Sequence, residues 1–181
     1  SGSNYAIMRD GTGTLNVSGN LIATTDDNDG VIDLGSLAVN GSFDLTTHGS
    51  GNATVVNATA LNFIASGIGG NLSATATTGN ITQSTGALTV GGTSTLVTTA
   101  QEATIDLSTI TTNAFTGALT ITTNDNAGAD ADVIIDGGTT ALIVAASTID
   151  GDLTLTSGAT AGITDSGTVT VLGDIYLITD A

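Results

Sequence analysis

The sequence predicts an all-β protein, a parallel β-solenoid (β-helix), and three observations lead to that prediction. Glycines recur at spacings of 22 residues or more, with apolar residues at fixed distances on either side. Apolar and polar residues alternate around these glycines, as in "LNV" from Leu15 and "LTV" from Leu88, which is the pattern of strands with one buried face. No segment shows the 3.6-residue period of an amphipathic helix.

Seven glycines mark the repeating coil, and each has an apolar residue two positions before it and another four positions after it. We expect each glycine to lie at a bend between strands, where a side chain would collide with its surroundings. The residues two positions before the glycines should point inward and stack from coil to coil. The glycines are Gly19, Gly41, Gly70, Gly92, Gly117, Gly151 and Gly173. The inward residues are Val17, Val39, Ile68, Val90, Phe115, Ile149 and Val171.

The spacing of these glycines predicts the number of coils. Successive glycines lie 22, 29, 22, 25, 34 and 22 residues apart, which predicts about seven coils of roughly 22 residues, two of them longer and looped. The loops are expected to begin at His48 and Asn124. Seven rungs spaced ~4.8 Å apart make a rod roughly 35 Å long.

Similar phrases also recur at longer range. "TALNFIASGIGGNLSA" from Thr59 matches "TALIVAASTIDGDLTL" from Thr140, and "GVIDL" from Gly30 matches "ATIDL" from Ala103. We interpret residues 1–181 as a single array of a degenerate three-coil unit, at about 19–91 and 92–172, flanked by partial copies. The alternative fold, an antiparallel β-sandwich, predicts hairpins but gives no reason for this recurrence.

The charge composition restricts the possible partners. The chain has one Arg, no Lys and 17 Asp and Glu residues, for a formal net charge of −16. Such a chain cannot neutralise phosphates, so no nucleic acid is expected as a partner, and anionic lipid surfaces would repel it. No apolar run approaches the ~18 residues of a membrane span, so no membrane insertion is expected.

Three stretches resemble the repeat arrays of filamentous-haemagglutinin-like exoproteins, which are giant β-helical adhesins of bacterial surfaces. They are "GNITQSTGALTVGGTSTL", "GITDSGTVTV" and "TIDLSTITTNAFTGALTI". The resemblance covers nearly the whole chain, and it implies a right-handed β-helix, export to the cell surface, and a structural or adhesive role. It supplies no catalytic residues. The Asn-Pro motifs of that family's secretion domain have no counterpart here, because the sequence contains no Pro.

Two acidic clusters, "TTDDNDG" and "NDNAGADAD", are candidate calcium sites. Carboxylate oxygens on loops are the ligands that Ca²⁺ prefers, and the first cluster partly resembles calcium loops that alternate acidic residues and close with Gly. The alternative is that both are solvated acidic turns that keep the rod soluble. The candidate ligands are Asp26, Asp27, Asp29, Asp125, Asp130 and Asp132.

Threonines recur at one coil position and are expected to form hydrogen-bonded ladders along the rod. A Thr-x-Thr face would also suggest ice binding. However, only two coils, at Thr120/Thr122 and Thr154/Thr156, have that pair at the matching register, and the predicted loops interrupt the stack. We therefore favour a structural role for the recurring threonines, which are Thr24, Thr46, Thr75, Thr122 and Thr156.

Enzyme activity is not expected. Polysaccharide-active β-helices need cations to bind uronates and aromatics to stack on sugars, whereas this chain has one Arg and five aromatic residues. His48, the single His, is expected on a surface loop, and Arg9 is expected to pair locally with Asp10. Two acidic residues across a groove would be required for inverting hydrolysis, and nothing indicates a general acid.

The sequence therefore predicts a non-catalytic, structural segment of an extracellular fibre or adhesin at the bacterial cell surface. Neither end of the pattern shows a capping element, which predicts end-to-end stacking into a homo-oligomer or filament, or continuation into neighbouring repeats of a longer chain. The alternative is a calcium-dependent module that binds carbohydrate or protein, and a polysaccharide-active enzyme is the remote alternative. No cofactor other than calcium is indicated.

Overall fold

The computed structural model describes residues 7–8, 11–26, 28–124 and 130–180. Within these residues the protein has 22 strands and no helix, and all of the strand pairs are parallel. The predicted parallel β-solenoid is confirmed, and the antiparallel sandwich is excluded because its hairpins would pair antiparallel. No helix long and apolar enough to cross a bilayer occurs in these ranges.

The strands are short and follow one another with tight bends between them. In chain order they are β1 (Ile7–Met8), β2 (Leu15–Val17), β3 (Leu21–Thr24), β4 (Ile32–Val39), β5 (Ser42–Thr46), β6 (Ala53–Asn57), β7 (Leu61–Phe63), β8 (Ser66–Ile68), β9 (Leu72–Ala76), β10 (Ile81–Gln83), β11 (Leu88–Val90), β12 (Ser94–Thr98), β13 (Ile105–Leu107), β14 (Ala114–Phe115), β15 (Leu119–Thr122), β16 (Val133–Asp136), β17 (Leu142–Val144), β18 (Ser147–Ile149), β19 (Leu153–Ser157), β20 (Ile163–Asp165), β21 (Val169–Val171) and β22 (Ile175–Thr179).

These strands form two walls of 11 parallel strands each, and the chain winds from one wall to the other and back. Strand partners on adjacent turns lie between 19 residues apart, as for Ala53 and Leu72, and 28 residues apart, as for Ile105 and Val133. The described strands make eight turns, one more than predicted, so the rod is roughly 38 Å long at ~4.8 Å per rung. Wall A consists of β1, β2, β4, β6, β9, β12, β15, β17, β18, β20 and β21, and wall B consists of the remaining strands.

Each passage along a wall is either a single, made by one straight strand, or a double, made by two short strands with a bend between them. β4 is also a double, because its eight residues shift register between Leu34 and Leu37. Doubles and singles alternate along the chain except at β5–β6 and β15–β16, where two singles follow one another. The doubles are β1–β2, β4, β7–β8, β10–β11, β13–β14, β17–β18 and β20–β21.

The two long glycine steps fall where two singles follow one another. Gly41 precedes β5 on wall B and Gly70 precedes β9 on wall A, so the step between them is one and a half turns. The step from Gly117 to Gly151 moves from wall A to wall B in the same way. The predicted looped coils are therefore wrong in detail. Ala53–Asn57 and Val133–Asp136, which were expected to lie in loops, are the wall strands β6 and β16.

The repeated unit consequently contains seven passages, which is three and a half turns rather than three. The phrase from Thr59 begins on wall B as β7 and β8, whereas its copy from Thr140 begins on wall A as β17 and β18. Likewise "GVIDL" lies on wall A in β4 and "ATIDL" lies on wall B in β13. Because seven is odd, successive copies of the unit face opposite sides of the rod.

The side chains that point between the walls form one hydrophobic core. Of the seven predicted inward residues, the five on interior turns are buried and the two on terminal turns are half-buried and pack against that core. Their inward direction is confirmed, but they form three stacks instead of one, because each half-turn step moves the column to the other wall. The stacks are Val17–Val39 on wall A, Ile68–Val90–Phe115 on wall B and Ile149–Val171 on wall A.

Buried polar side chains repair the backbone ladder where a single stacks on a double. Asn57 is fully buried and behaves as an extra peptide group: its Oδ1 accepts from Val39 N (2.9 Å) and its Nδ2 donates to Val39 O (3.0 Å). The Ser66 hydroxyl accepts from Leu45 N (3.1 Å). At the second half-turn step Ser147, which occupies the same place in the copied phrase, accepts from Ile121 N (3.0 Å). These side chains satisfy amides that would otherwise be buried without a partner.

Replacing Leu96 by Ala should destabilise the rod strongly. Leu96 is fully buried in β12, between Ala74 and Ile121 on the adjacent turns, so its truncation leaves a cavity and costs about 2–5 kcal/mol. Val97→Ala on the outer face of the same strand is the matched control and should cost about 0.5 kcal/mol. Denaturant unfolding followed by circular dichroism measures both, and equal losses would contradict the inward assignment.

Candidate functional site

Asn and Asp side chains at the bends join successive turns in what we call the corner ladders. In each case the side-chain oxygen accepts the backbone N–H of the matching bend residue one turn later. Asn71 Oδ1 accepts from Thr93 N (2.8 Å), and Asn71 N itself donates to Asn52 Oδ1 (2.7 Å). Every link therefore runs in the same direction, from an acceptor on one turn to a donor on the next. The other links join Asn20 to Ser42, Asn80 to Thr104, Asp132 to Asp152 and Asp152 to Asp174.

The predicted bend glycines are required by these ladders. A Cβ atom on Gly92 would overlap Asn71 Oδ1 and would lie 2.8 Å from the carbonyl carbon of Gly70, and Gly92 N donates to Gly70 O (2.8 Å). By contrast, a Cβ on Gly19, in the first turn, would meet nothing within 4 Å. The collision that selects glycine therefore comes from the preceding turn, and not from the glycine's own bend.

Two of the predicted calcium ligands instead serve as hydrogen-bond acceptors between turns. Asp29 has a positive φ of 59° and its Oδ1 accepts from the backbone N and the hydroxyl of Ser50, each at 2.7 Å. These bonds, the backbone one first, lower the pKa of the Asp29 carboxyl below its usual range. Asp132 Oδ1 accepts from Asp152 N at 2.8 Å.

The described residues do not gather the predicted calcium ligands into one site. Asp26 and Asp130 are exposed, and Asp27 and Asp125 lie outside the described residues. In the ranges that the structure covers, no three His, Cys, Asp or Glu side chains lie close enough together to hold a metal ion. Calcium binding at either cluster stays a prediction.

The other polar residues singled out in the sequence occupy separate places. His48 is exposed at a bend, as predicted, and its Nδ1 lies 3.0 Å from Thr25 O. Arg9 and Asp10 lie outside the described residues. The expected single threonine ladder is wrong, because Thr24 and Thr46 pair on wall B whereas the wall A threonines at that position are separated by Val97.

The two terminal turns carry most of the large apolar side chains that are exposed in the described residues. Leu177 continues the inward column of Leu155, but it is 59% exposed whereas Leu155 is 1% exposed, because Leu177 lies on the last turn. An open cavity of about 380 Å³ separates the ends of the two walls there. On the first turn Leu15 and Ile22 are 41% and 70% exposed.

Polar groups at the last turn extend the corner ladder outward. The exposed Asp174 is the final link, with its N–H bound to Asp152 Oδ1 at 2.7 Å. The Asp174 carboxylate raises the pKa of the neighbouring Tyr176 phenol, first through its charge and then through a hydrogen bond of 3.3 Å. The last turn thus combines apolar strand positions with a carboxylate at the ladder position.

The parallel rungs, the single continuous core and the corner ladders define a β-solenoid repeat protein whose architecture is compatible with a structural role. Residues 50–122 and 130–181 match the family described as "Repeats of unknown function (DUF5649)", and the chain belongs to that family. Neither the curated proteins nor the solved structures include a match to this sequence.

Replacing Asn71 by Ala should remove one link of the corner ladder. The Thr93 amide would lose its acceptor at an exposed bend where water can partly replace it, so the loss should be about 0.5–1.5 kcal/mol. Asn71→Asp is the matched control, because a carboxylate fills this role at Asp152, and it should retain more of the stability. Unfolding midpoints in urea measure the effect. An Asp variant as unstable as the Ala variant would contradict the acceptor role.

Calcium binding at the acidic bends predicts a rise in melting temperature with Ca²⁺. Extracellular sites with a Kd of about 0.1–1 mM would stabilise the chain by about 1–3 kcal/mol in 10 mM Ca²⁺. Mg²⁺ is the control cation, and the double substitution Asp130→Asn with Asp132→Asn should remove the part of the rise due to the second cluster. Identical melting temperatures in Ca²⁺, Mg²⁺ and EDTA would contradict the metal prediction.

Proposed function

We propose that this chain is a non-catalytic structural segment of an extracellular fibre or adhesin, in which solenoid turns continue from one segment to the next. The continuing turn comes from a second copy of the chain, stacked end to end, or from a neighbouring repeat of a longer chain. The observation that carries the proposal is the chemistry of the terminal turns, whose apolar strand positions and backbone groups match those that pair inside the rod.

The arrangement of passages supports end-to-end stacking. The first turn has a double on wall A (β1–β2) and a single on wall B (β3), and the last turn has a double on wall A (β20–β21) and a single on wall B (β22). A first turn placed on a last turn therefore stacks double on double and single on single, as β20–β21 and β22 stack on the turn below them. No repair side chain would be needed at such a junction.

The corner ladder supports the same register. Asn20 follows Gly19 as Asp174 follows Gly173, and both occupy the ladder position. In this register Asp174 would accept the N–H of Asn20 in the next segment, as Asp152 accepts that of Asp174. Leu21 would then lie on Ile175, as Phe43 lies on Leu21 within the chain.

An extracellular location is supported by composition and by resemblance. The net charge of −16 keeps rods apart laterally while leaving the ends free to associate. The repeat stretches resemble those of filamentous-haemagglutinin-like exoproteins, which are surface adhesins. Antibodies against the chain, applied to intact source cells, should label the cell surface.

Replacing Leu177 by Asp should prevent stacking by placing a charge in the centre of the terminal face. The unmodified chain should form concentration-dependent rods of several lengths, whereas the variant should sediment as a monomer, because burying an unpaired carboxylate costs several kcal/mol. Ile134→Asp, on the side of the rod at 37% exposure, is the matched control and should still stack. Sedimentation velocity and negative-stain electron microscopy measure the outcome. Monomers of the unmodified chain at all concentrations would contradict stacking of second copies.

A further inference from the structure

Two columns of outward side chains run along wall A over four successive turns, and we call them together the threonine face. The strands β6, β9, β12 and β15 contribute two outward residues each, and seven of the eight side chains are half-buried while Thr122 is exposed. One column is Thr54, Ser73, Thr95 and Thr120, and the other is Val56, Thr75, Val97 and Thr122.

The threonine face is a regular two-dimensional array. The four strands pair residue for residue without a register shift, so side chains repeat at ~4.8 Å along the rod and ~6.6 Å across it. The sequence-based objection to such a face was that a loop from His48 interrupts it. That objection fails, because Ala53–Asn57 is itself the wall strand β6.

The hydroxyls of this face are free to bind something outside the protein. None of its six hydroxyls makes a hydrogen bond within the part of the chain that the structure describes. Threonines at the bends behave differently: Thr47 donates to Gly51 O (2.7 Å), Thr78 to Ala58 O (2.7 Å) and Thr98 to Ala103 O (3.0 Å). The chain thus uses its bend threonines internally and presents those of the wall outward.

The charge of the face restricts the ligand. None of its eight side chains is ionisable, although the chain has 17 acidic residues, and on wall B the outward positions include Asp44, Asp106 and Asp136. A charged ligand would find no counter-charge here. A neutral surface with regularly repeated hydrogen-bond donors and acceptors matches both the charge and the geometry.

We propose that the threonine face binds ice. Oxygen atoms on the prism planes of ice repeat in two perpendicular directions at spacings similar to those of the two columns. Each Thr hydroxyl offers one donor and two acceptors, and the γ-methyl groups of Thr and Val fill the hollows between lattice waters. β-branched side chains have few rotamers, so little conformational entropy is lost when the face is ordered against a lattice. This activity does not depend on the fibre proposal.

Thr95→Tyr should abolish ice binding, because a bulky ring in the centre of the array holds its neighbours away from the lattice. The control is Thr154→Tyr, at a half-buried outward position on wall B between Leu153 and Leu155. Purified protein is partitioned into a slowly grown ice hemisphere, and thermal hysteresis is measured in parallel. The unmodified chain and the wall B variant should enter the ice and depress the freezing point, and the Thr95 variant should be excluded from the ice.

A second variant keeps the test independent of how the Tyr substitution affects folding. Val97→Thr adds a hydroxyl to the second column without changing its shape and should retain or increase thermal hysteresis. Circular dichroism confirms that each variant is folded. Exclusion of the unmodified chain from ice overturns the proposal, and so does an equal loss in the wall A and wall B variants.

Discussion

The constraint on which the whole structure depends is that each turn must satisfy the backbone of the turn beside it. Parallel strands leave no N–H or C=O free inside a wall, so any change in how a passage is built must be accommodated by its neighbours. Where a straight strand meets a bent pair, the amides of Val39, Leu45 and Ile121 find side-chain acceptors instead of carbonyls. The buried polar residues of this core are thus consequences of ladder pairing, and the apolar columns fill the space that the ladders enclose.

Much of this fold is predictable from the sequence, because inward aliphatics and bend glycines repeat in register. The number of turns is not, because a glycine shows that the chain bends but not which wall it bends toward. A half-turn step therefore looks like an insertion, and "ATVVN" from Ala53 was assigned to a loop although it alternates as a strand does. The error arises because periodicity within a passage and periodicity between passages are separate signals.

The polar sites were harder to predict, because composition does not reveal the direction of a side chain. Asp29 and Asp132 suggested metal ligands, yet their carboxylates accept backbone amides from the next turn. A signal for this role was present: Asn or Asp directly follows a bend glycine at Asn20, Asn71 and Asp152. Interpreted with the repeat, that dipeptide predicts a ladder. The outward threonines needed the correct wall assignment before they could be recognised as one surface.

The odd number of passages in the repeated unit has a consequence for the evolution of such chains. Recombination between two copies that adds or deletes one unit preserves every stacking contact, because each passage still meets a passage of the right kind. Everything beyond the junction is nevertheless turned to the opposite side of the rod, and only a second such event restores the original orientation. Variation in length alone can thereby change the direction in which distal surfaces point, without any substitution in those surfaces.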